Sequence, residues 1–382
     1  MMRTVLTILA IWAAGLGAAA QFGKISVAYP VLGEIYAGVP PLWLAVMVSV
    51  VGMVGLLFGT TAGLIVARVG ARRAILAALV MGAGVSAVQA GLPSLPVMLI
   101  TRVLEGVSHL AIVVVGPVAI ARAAGARLQG PALTLWSSFF GLTYAVLFWI
   151  GPRVLQHGVA ALFFGHAGWM LACAAALAVL MPRLPRSDAV PMGGLLAQHA
   201  RIYGSPRIAA PAMGFACYTM TYVAVLTLLP PAMGLVWIGV AMPLVSISVS
   251  LSLGVWLLGR MSAVHLVQAG FAVAVLAAGW LALGAEGQVV AALTIAGALG
   301  IVQGASFAAL AELNPAPADQ ASAAGAIAQL GNLGTTTGTP LLAVIMQQAG
   351  LTGLAAFVLG FSVLGIALHR WQARRRSQAG TI

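Results

Sequence analysis

The residues with most to explain are ionisable groups inside long apolar stretches, because a charge at the centre of a membrane helix costs roughly 2.5–3.5 kcal/mol. Arg102, Glu105 and His109 recur at spacings of three and four, which on a helix places them on one face. Gln21 and Lys24 do the same on an earlier stretch. Lys24 and Arg102 set two positive charges against the one negative charge of Glu105. Such a set describes a cationic site with an embedded proton acceptor, suited to an anionic or zwitterionic ligand. An unperturbed imidazole titrates near pH 6.5, so His109 is a candidate proton-exchanging neighbour. The competing reading is a structural ion pair of Glu105 with Lys24 or Arg102, with His109 a neutral packing residue.

Two further polar sets lie within apolar stretches. Gly325, Gln329, Asn332, Thr336 and Thr339 form one face of a glycine-rich segment, flanked by Gly331, Gly334 and Gly338. Gln329 and Asn332 are candidate ligand contacts, while the same stripe equally suits helix-to-helix hydrogen bonding. Tyr218, Thr219, Thr221, Tyr222 and Thr227 precede Pro230 and Pro231 and fit a cavity wall, with Tyr218 and Tyr222 as candidate contacts and aromatic packing as the equal alternative. Glu312 and Asn314 suggest a gate or loop contact. The triplet Gly55, Gly59, Gly63 is a small-residue ridge for close helix contact. Cys173 and Cys217 sit in apolar stretches without CxxC or Cys/His spacing, so neither a disulfide framework nor a metal site is expected. Gly23-Lys24 lacks the first glycine and the Ser/Thr of a phosphate loop. No nucleotide or other cofactor is expected, and no nucleophile or metal set assembles into an intramembrane enzyme or sensor.

The elements that must position these groups are membrane helices. With 62% hydrophobic and 6% charged residues over 382 positions, a soluble chain would lack the polar surface to cover its core. Mean hydropathy is +1.08. Spans of about 20 apolar residues fall near 4–29, 42–66, 74–92, 97–121, 131–152, 159–181, 209–229, 232–258, 264–284, 288–311, 320–346 and 351–369. Pro40-Pro41, Pro96 and Pro131 are expected at helix starts. Counted from the ends of their spans, Lys24 and Glu105 lie at similar depth, so the first and fourth spans can bring them together.

Of the 18 basic residues, Arg3, Arg68, Arg72, Arg73, Arg122, Arg127, Arg183, Arg186, Arg201, Arg207, Arg260, Arg370, Arg374, Arg375 and Arg376 fall in alternate gaps, and only Arg153 in a gap of opposite parity. Arginine-rich short loops stay cytoplasmic, so both termini are expected inside, in a bacterial plasma (inner) membrane. The net charge of +12 is scattered over loops without aromatic interleaving, which favours topology signalling and lipid headgroups over nucleic acid. Arg3, an apolar run and Ala18-Ala19-Ala20 also fit a cleavable signal, but the pattern continues past Gln21, so an uncleaved first helix is expected. The long polar gap divides a six-helix bundle, 1–181, from a linker, 182–208, and a second six-helix bundle with a basic tail, 209–382.

Gly63-Leu-Ile-Val-Ala67-Arg68-Val69-Gly70-Ala71-Arg72-Arg73 resembles the signature between helices 2 and 3 of the major facilitator superfamily. Gly63, Arg68, Gly70, Arg72 and Arg73 match its gating motif, and Ala67 stands where the family usually has an aspartate. Leu258-Gly259-Arg260-Met261 is a degraded second copy. Arg102-Val103-Leu104-Glu105-Gly106 resembles the family's Arg-xxx-Gly motif, associated with proton coupling. Gly151-Pro152 is similar to the end of the exporter motif, with Leu147 at its earlier glycine position. The resemblance implies an all-α membrane protein, twelve helices in two pseudo-symmetric six-helix bundles, with helices 1, 4, 7 and 10 lining a central cavity.

The combined expectation is a monomeric, proton-coupled secondary transporter of a small anionic or zwitterionic organic molecule, with export slightly favoured. Glu105, His109 and Arg102 are the proton-coupling candidates. Lys24, Gln21, Arg102, Tyr218, Tyr222, Gln329 and Asn332 are the substrate candidates. The alternative is an uncoupled facilitator or drug-type exporter in which Glu105 is structural.

Overall fold

The computed structural model describes residues 2–182, 194–284 and 286–379, and among them no strand occurs. The chain divides into two compact units, Met1–Pro191 and Met192–Ile382. The first holds α1 (Met2–Ile35), α2 (Pro41–Ser49), α3 (Gly52–Phe58), α4 (Ala62–Val69), α5 (Ala71–Ala90), α6 (Leu95–Ser137), α7 (Phe139–Leu155) and α8 (Val159–Leu180). The second holds α9 (Leu195–Gly204), α10 (Ala209–Met233), α11 (Val236–Val249), a π-helical turn Ser250–Gly254, α12 (Val255–Leu258), α13 (Ala263–Ala282), α14 (Gln288–Leu313) and α15 (Pro317–Ala379). Nine of the described helices are long and apolar enough to cross a membrane, or ten if α2 and α3 count as one bent span. Helix α7 is a shorter apolar segment. At 63 residues, α15 would be about 95 Å long if straight, some three hydrocarbon thicknesses. Its backbone leaves helical geometry at Gly350, at φ 51° and ψ −136°, between the two spans expected there. These elements are consistent with twelve crossings.

The helices differ from the expected spans in four places. The second span is not one helix: α2 and α3 meet at a 56° bend, and α4 follows as a separate segment. Pro131 does not start a helix, because α6 runs past a break at Gly125 to Ser137 and α7 begins after a turn at Ser138. Its counterparts Pro41 and Pro96 do occupy the first turns of α2 and α6, where a missing amide hydrogen costs little. The π-helical turn interrupts the eighth span. Finally, residues 195–204 of the expected linker are helical, while residues 183–193, including Arg183 and Arg186, lie outside the described residues.

In the first unit α1 packs on α6, α7 and α8, and α5 on α6 and α8, so α1, α5, α6 and α8 converge. In the second, α15 packs along α10 and α13. Lipid tails provide little hydrophobic drive between helices, so close backbone approach carries much of the association. The glycine stripe of α15 serves that purpose: a Cβ on Gly334 would lie 2.6 Å from Met220 N, and one on Gly338 would lie 2.1 Å from Met220 O.

Candidate functional site

Glu105 is the hub of a buried polar cluster in the first unit. One carboxylate oxygen, Oε1, accepts from Lys24 Nζ at 2.5 Å, while Oε2 accepts from Arg102 Nη1 and from Gln89 Nε2, the latter at 3.0 Å. Lys24, Ser86, Gln89, Arg102 and Glu105 are wholly shielded from solvent. Every ammonium proton of Lys24 has an acceptor: Glu105, Ser86 Oγ at 2.7 Å and His166 Nδ1 at 3.3 Å. Its charge also lies 5.1 Å from the centre of the Phe163 ring. His166 Nε2 is 3.0 Å from Gly17 O, which can only accept. In the neutral ring Nε2 therefore carries the proton, leaving Nδ1 as the acceptor that faces Lys24.

Arg102 connects this cluster to the bend in the second span. Its Nε and Nη2 donate to the carbonyls of Met47 and Val48, at 2.8 and 3.2 Å. Those carbonyls lie in the last turn of α2, where a helix end leaves acceptors without amide partners and favours a nearby cation. Gly106 lets α6 approach this point. A Cβ there would stand 2.4 Å from Val51 O and 2.8 Å from Val54 Cγ2. We predict that Gly106→Ala destabilises the protein by about 1–3 kcal/mol through overpacking, whereas Gly84→Ala, which meets nothing within 4 Å, does not. Thermal unfolding of both variants in detergent checks this, and equal midpoints would refute it.

The remaining candidates distribute as follows. His109 shares the face of Arg102 and Glu105 in sequence, yet its Nδ1 pairs with Ala18 O at 3.0 Å and its ring meets Phe22 edge-on at 5.1 Å. It is anchored on α1 beside the cluster. Gln21 is buried and donates to Ser108 Oγ at 3.0 Å. Its Oε1 and that of Gln89 are buried acceptors without a donor among the described residues. In the second unit, Tyr218 and Tyr222 stack with ring centres 5.1 Å apart. Gln329 is engaged by α9: its Oε1 accepts from Tyr203 at 2.7 Å and its Nε2 pairs with His199 Nε2 at 3.1 Å. Burial pushes the Tyr203 phenol up to about 12, which keeps that donor protonated. Asn332 bonds back to Ala328 O at 2.7 Å. Lys24 and Gln21 thus belong to one unit, and Tyr218, Tyr222, Gln329 and Asn332 to the other.

At the gating motif Gly70 turns the chain at φ 92° between α4 and α5. Arg68 and Arg73 are exposed. Arg72 caps the end of α8, donating to Met181 O at 2.9 Å and Ala178 O at 2.6 Å. The arginine thereby holds a helix C-terminus, a favourable place for a cation. The side chain of Ala67 lies outside the described residues, as does anything beyond the backbone of Gly63. Glu312 accepts from the backbone amide of Ala263 at 2.7 Å, at the start of α13.

Sequence reasoning missed Ser86, Gln89 and His166. Ser86 and Gln89 are three apart on α5 and share a face, a weak signal that could have marked them. His166 is an isolated polar residue on α8, and only the default functional reading of ionisable groups in spans would have raised it.

A sequence model described as the Major Facilitator Superfamily matches residues 7–339. A search of curated protein sequences gives no match. Among solved structures, the xylose transporter XylE from E. coli, in an inward open conformation, superposes with a TM-score of 0.74 at 15% identity, covering 96% of this chain and 94% of XylE. A mutant of the nucleoside transporter NupG superposes with a TM-score of 0.73 at 14% identity, covering 98% of this chain and 99% of NupG.

Proposed function

The chain belongs to the major facilitator superfamily, an integral membrane transporter family, and on that premise we propose that it couples protons to the movement of a small anionic or zwitterionic organic molecule. The observation that carries this reading is the Lys24, Arg102, Glu105 cluster, in which two cations share one carboxylate away from solvent. Removing charges from water without full compensation is costly, so a cluster of this kind is a device that an arriving anion or proton can reset. An anionic group offsets the surplus positive charge. A ligand bearing N–H or O–H groups offsets the two amide oxygens of Gln21 and Gln89, each costing about 1–3 kcal/mol while unpaired. Both features together favour a zwitterion or a hydroxylated anion. XylE and NupG carry xylose and nucleosides by name, but at their low identity the likeness supports only the fold.

In this reading Glu105 takes up the proton, Arg102 and Lys24 hold its conjugate base, and His109 and Gln21 shape the surrounding wall. Tyr218, Tyr222, Gln329 and Asn332 are the proposed substrate contacts of the second unit. The bundles 1–181 and 209–382, a monomeric state, export as the direction and a bacterial inner membrane complete the proposal. A thermal-shift screen of carboxylates, amino acids and phosphates on the purified protein identifies the ligand, because binding raises the stability of the folded state. Vesicles reconstituted with the protein should then move that ligand against its gradient when a pH gradient is imposed, and a protonophore should stop the movement. Movement that only equilibrates the ligand, with or without the pH gradient, would replace this proposal with the uncoupled facilitator.

Orientation has its own test. Since basic residues fill gaps of one parity, reporter fusions after Arg73, Arg127, Arg201 and Arg376 are predicted to report cytoplasm, and fusions near Glu34, Ser94 and Glu286 the opposite side. An outside signal at Arg201 would refute the six-plus-six arrangement.

A further inference from the structure

The second arm of α15 carries an open, shallow groove on its own surface, lined by Val363, Ile366, Ala367, Arg370, Trp371 and Arg374. All six are on one stretch of helix roughly 16 Å long by the helical rise. Its lower part is aliphatic and its upper part cationic. Arg370 and Arg374 are one helical turn apart and exposed. Trp371, 48% exposed, stands between them and is an interfacial residue type in membranes. The aliphatic end is open as well, with Val363 exposed.

The four arginines of this arm divide into two pairs with different tasks. Arg375 donates to Gly204 O at 2.8 Å and to Gln372 Oε1 at 3.2 Å, and its guanidinium lies 5.0 Å from the centre of the Trp371 ring. Arg376 donates to Pro206 O at 3.1 Å. Both tie the arm to the chain around α9, and Arg375 also supports one face of Trp371. Arg370 and Arg374 are left facing the groove. Among the described residues the two ion pairs are those of Glu105 with Lys24 and with Arg102, so neither groove arginine has a carboxylate partner.

We infer that this groove binds one anionic phospholipid, its phosphate between Arg370 and Arg374 and an acyl chain along Val363, Ile366 and Ala367. Charge complementarity selects the headgroup, because two neighbouring guanidinium groups suit phosphate oxygens. The aliphatic half selects a lipid over a soluble phosphate. A cluster of four arginines following a long apolar helical stretch, here Arg370, Arg374, Arg375 and Arg376, is a recognised sequence signal for anionic lipid. The site is separate from the buried cluster and does not depend on the transport reading.

Native mass spectrometry of the full-length protein, titrated with phosphatidylglycerol or phosphatidylcholine, tests the assignment. One phosphatidylglycerol should be retained in preference to phosphatidylcholine. Each of Arg370→Gln and Arg374→Gln should weaken it about fivefold, and the double variant about thirtyfold. Arg260→Gln removes another exposed arginine, stacked on Trp256 at 3.7 Å, and should leave retention unchanged. Glycerol 3-phosphate at millimolar concentration should not displace the lipid. An equal loss in Arg260→Gln would make the binding a general charge effect, and displacement by glycerol 3-phosphate would make it a soluble-phosphate site. Either result overturns the inference, as does full retention by the double variant. Since both arginines are exposed, the double variant should fold.

Discussion

Glu105→Gln is expected to abolish accumulation driven by a pH gradient while leaving substrate exchange at a rate near wild type. Glutamine keeps the shape of the side chain, and its one amide oxygen can still accept on one side of the cluster, either from Lys24 or from Arg102 and Gln89, but it cannot take up a proton. Exchange of labelled for unlabelled substrate needs no net proton movement, whereas accumulation does. With one proton per cycle, a gradient of one pH unit supplies about 1.4 kcal/mol, or a tenfold concentration ratio. The variant should give a ratio near one. Reconstituted vesicles assayed for accumulation and counterflow side by side measure both quantities. Accumulation at the normal level in Glu105→Gln would assign Glu105 to structure and leave the uncoupled carrier as the account of this protein.

The second large effect is expected from Lys24→Ala, in which binding of an anionic substrate should fall by a hundredfold or more, about 3 kcal/mol, the range for truncating a buried charged partner. Removing Lys24 leaves Glu105 paired with Arg102 and bonded to Gln89, so the surplus positive charge disappears while the carboxylate keeps two of its three donors. Folding should therefore survive at reduced stability. Isothermal titration with the substrate, beside a thermal unfolding curve, separates the two effects. Unchanged affinity in a folded Lys24→Ala protein would sink the anion-binding role, and Lys24 would become a partner of Glu105 and nothing more. Lys24→Arg adds information, because the planar guanidinium is larger and does not give up its proton.

These two experiments depend on residues whose meeting was partly legible from sequence. Arg102 and Glu105 are three apart on an apolar helix, and Lys24 lies at matching depth on another, so local periodicity and span counting suffice to bring them together. Ser86, Gln89 and His166 come from two further helices, and nothing in their local sequence says which way α5 and α8 turn toward α1. Helix existence was readable from apolar length, but the bend of the second span was not. Residues 42–66 carry no charge and only Ser49, Thr60 and Thr61 as hydroxyl residues, and the carbonyls at the bend are met by Arg102, more than fifty positions later. The polar stripe containing Gln329 was visible, yet one of its partners, α9, lies in a gap whose arginines read only as a cytoplasmic linker. Periodicity reports a face; it does not report what the face meets.

The structure also changes which part of the gating signature carries weight. Arg72 holds the carbonyls that end α8, so the arginine has a structural task within its own unit even where the family's usual aspartate is replaced by Ala67. The glycine-rich stripe of α15 likewise serves close packing on α10 through Gly334 and Gly338. Polar and small residues in a membrane helix thus divide between packing and chemistry, and the cluster around Glu105 is where several fully shielded ionisable groups converge.

The central claim is that protons move with substrate through the cluster held by Glu105. The most direct test is to load vesicles containing the protein with a pH-sensitive dye, begin without a pH gradient, and add substrate on one side. The account predicts a change of internal pH that begins with substrate addition, scales with the amount of substrate moved and is absent in Glu105→Gln. Substrate entry at full rate with no change of internal pH in the wild-type protein would contradict it.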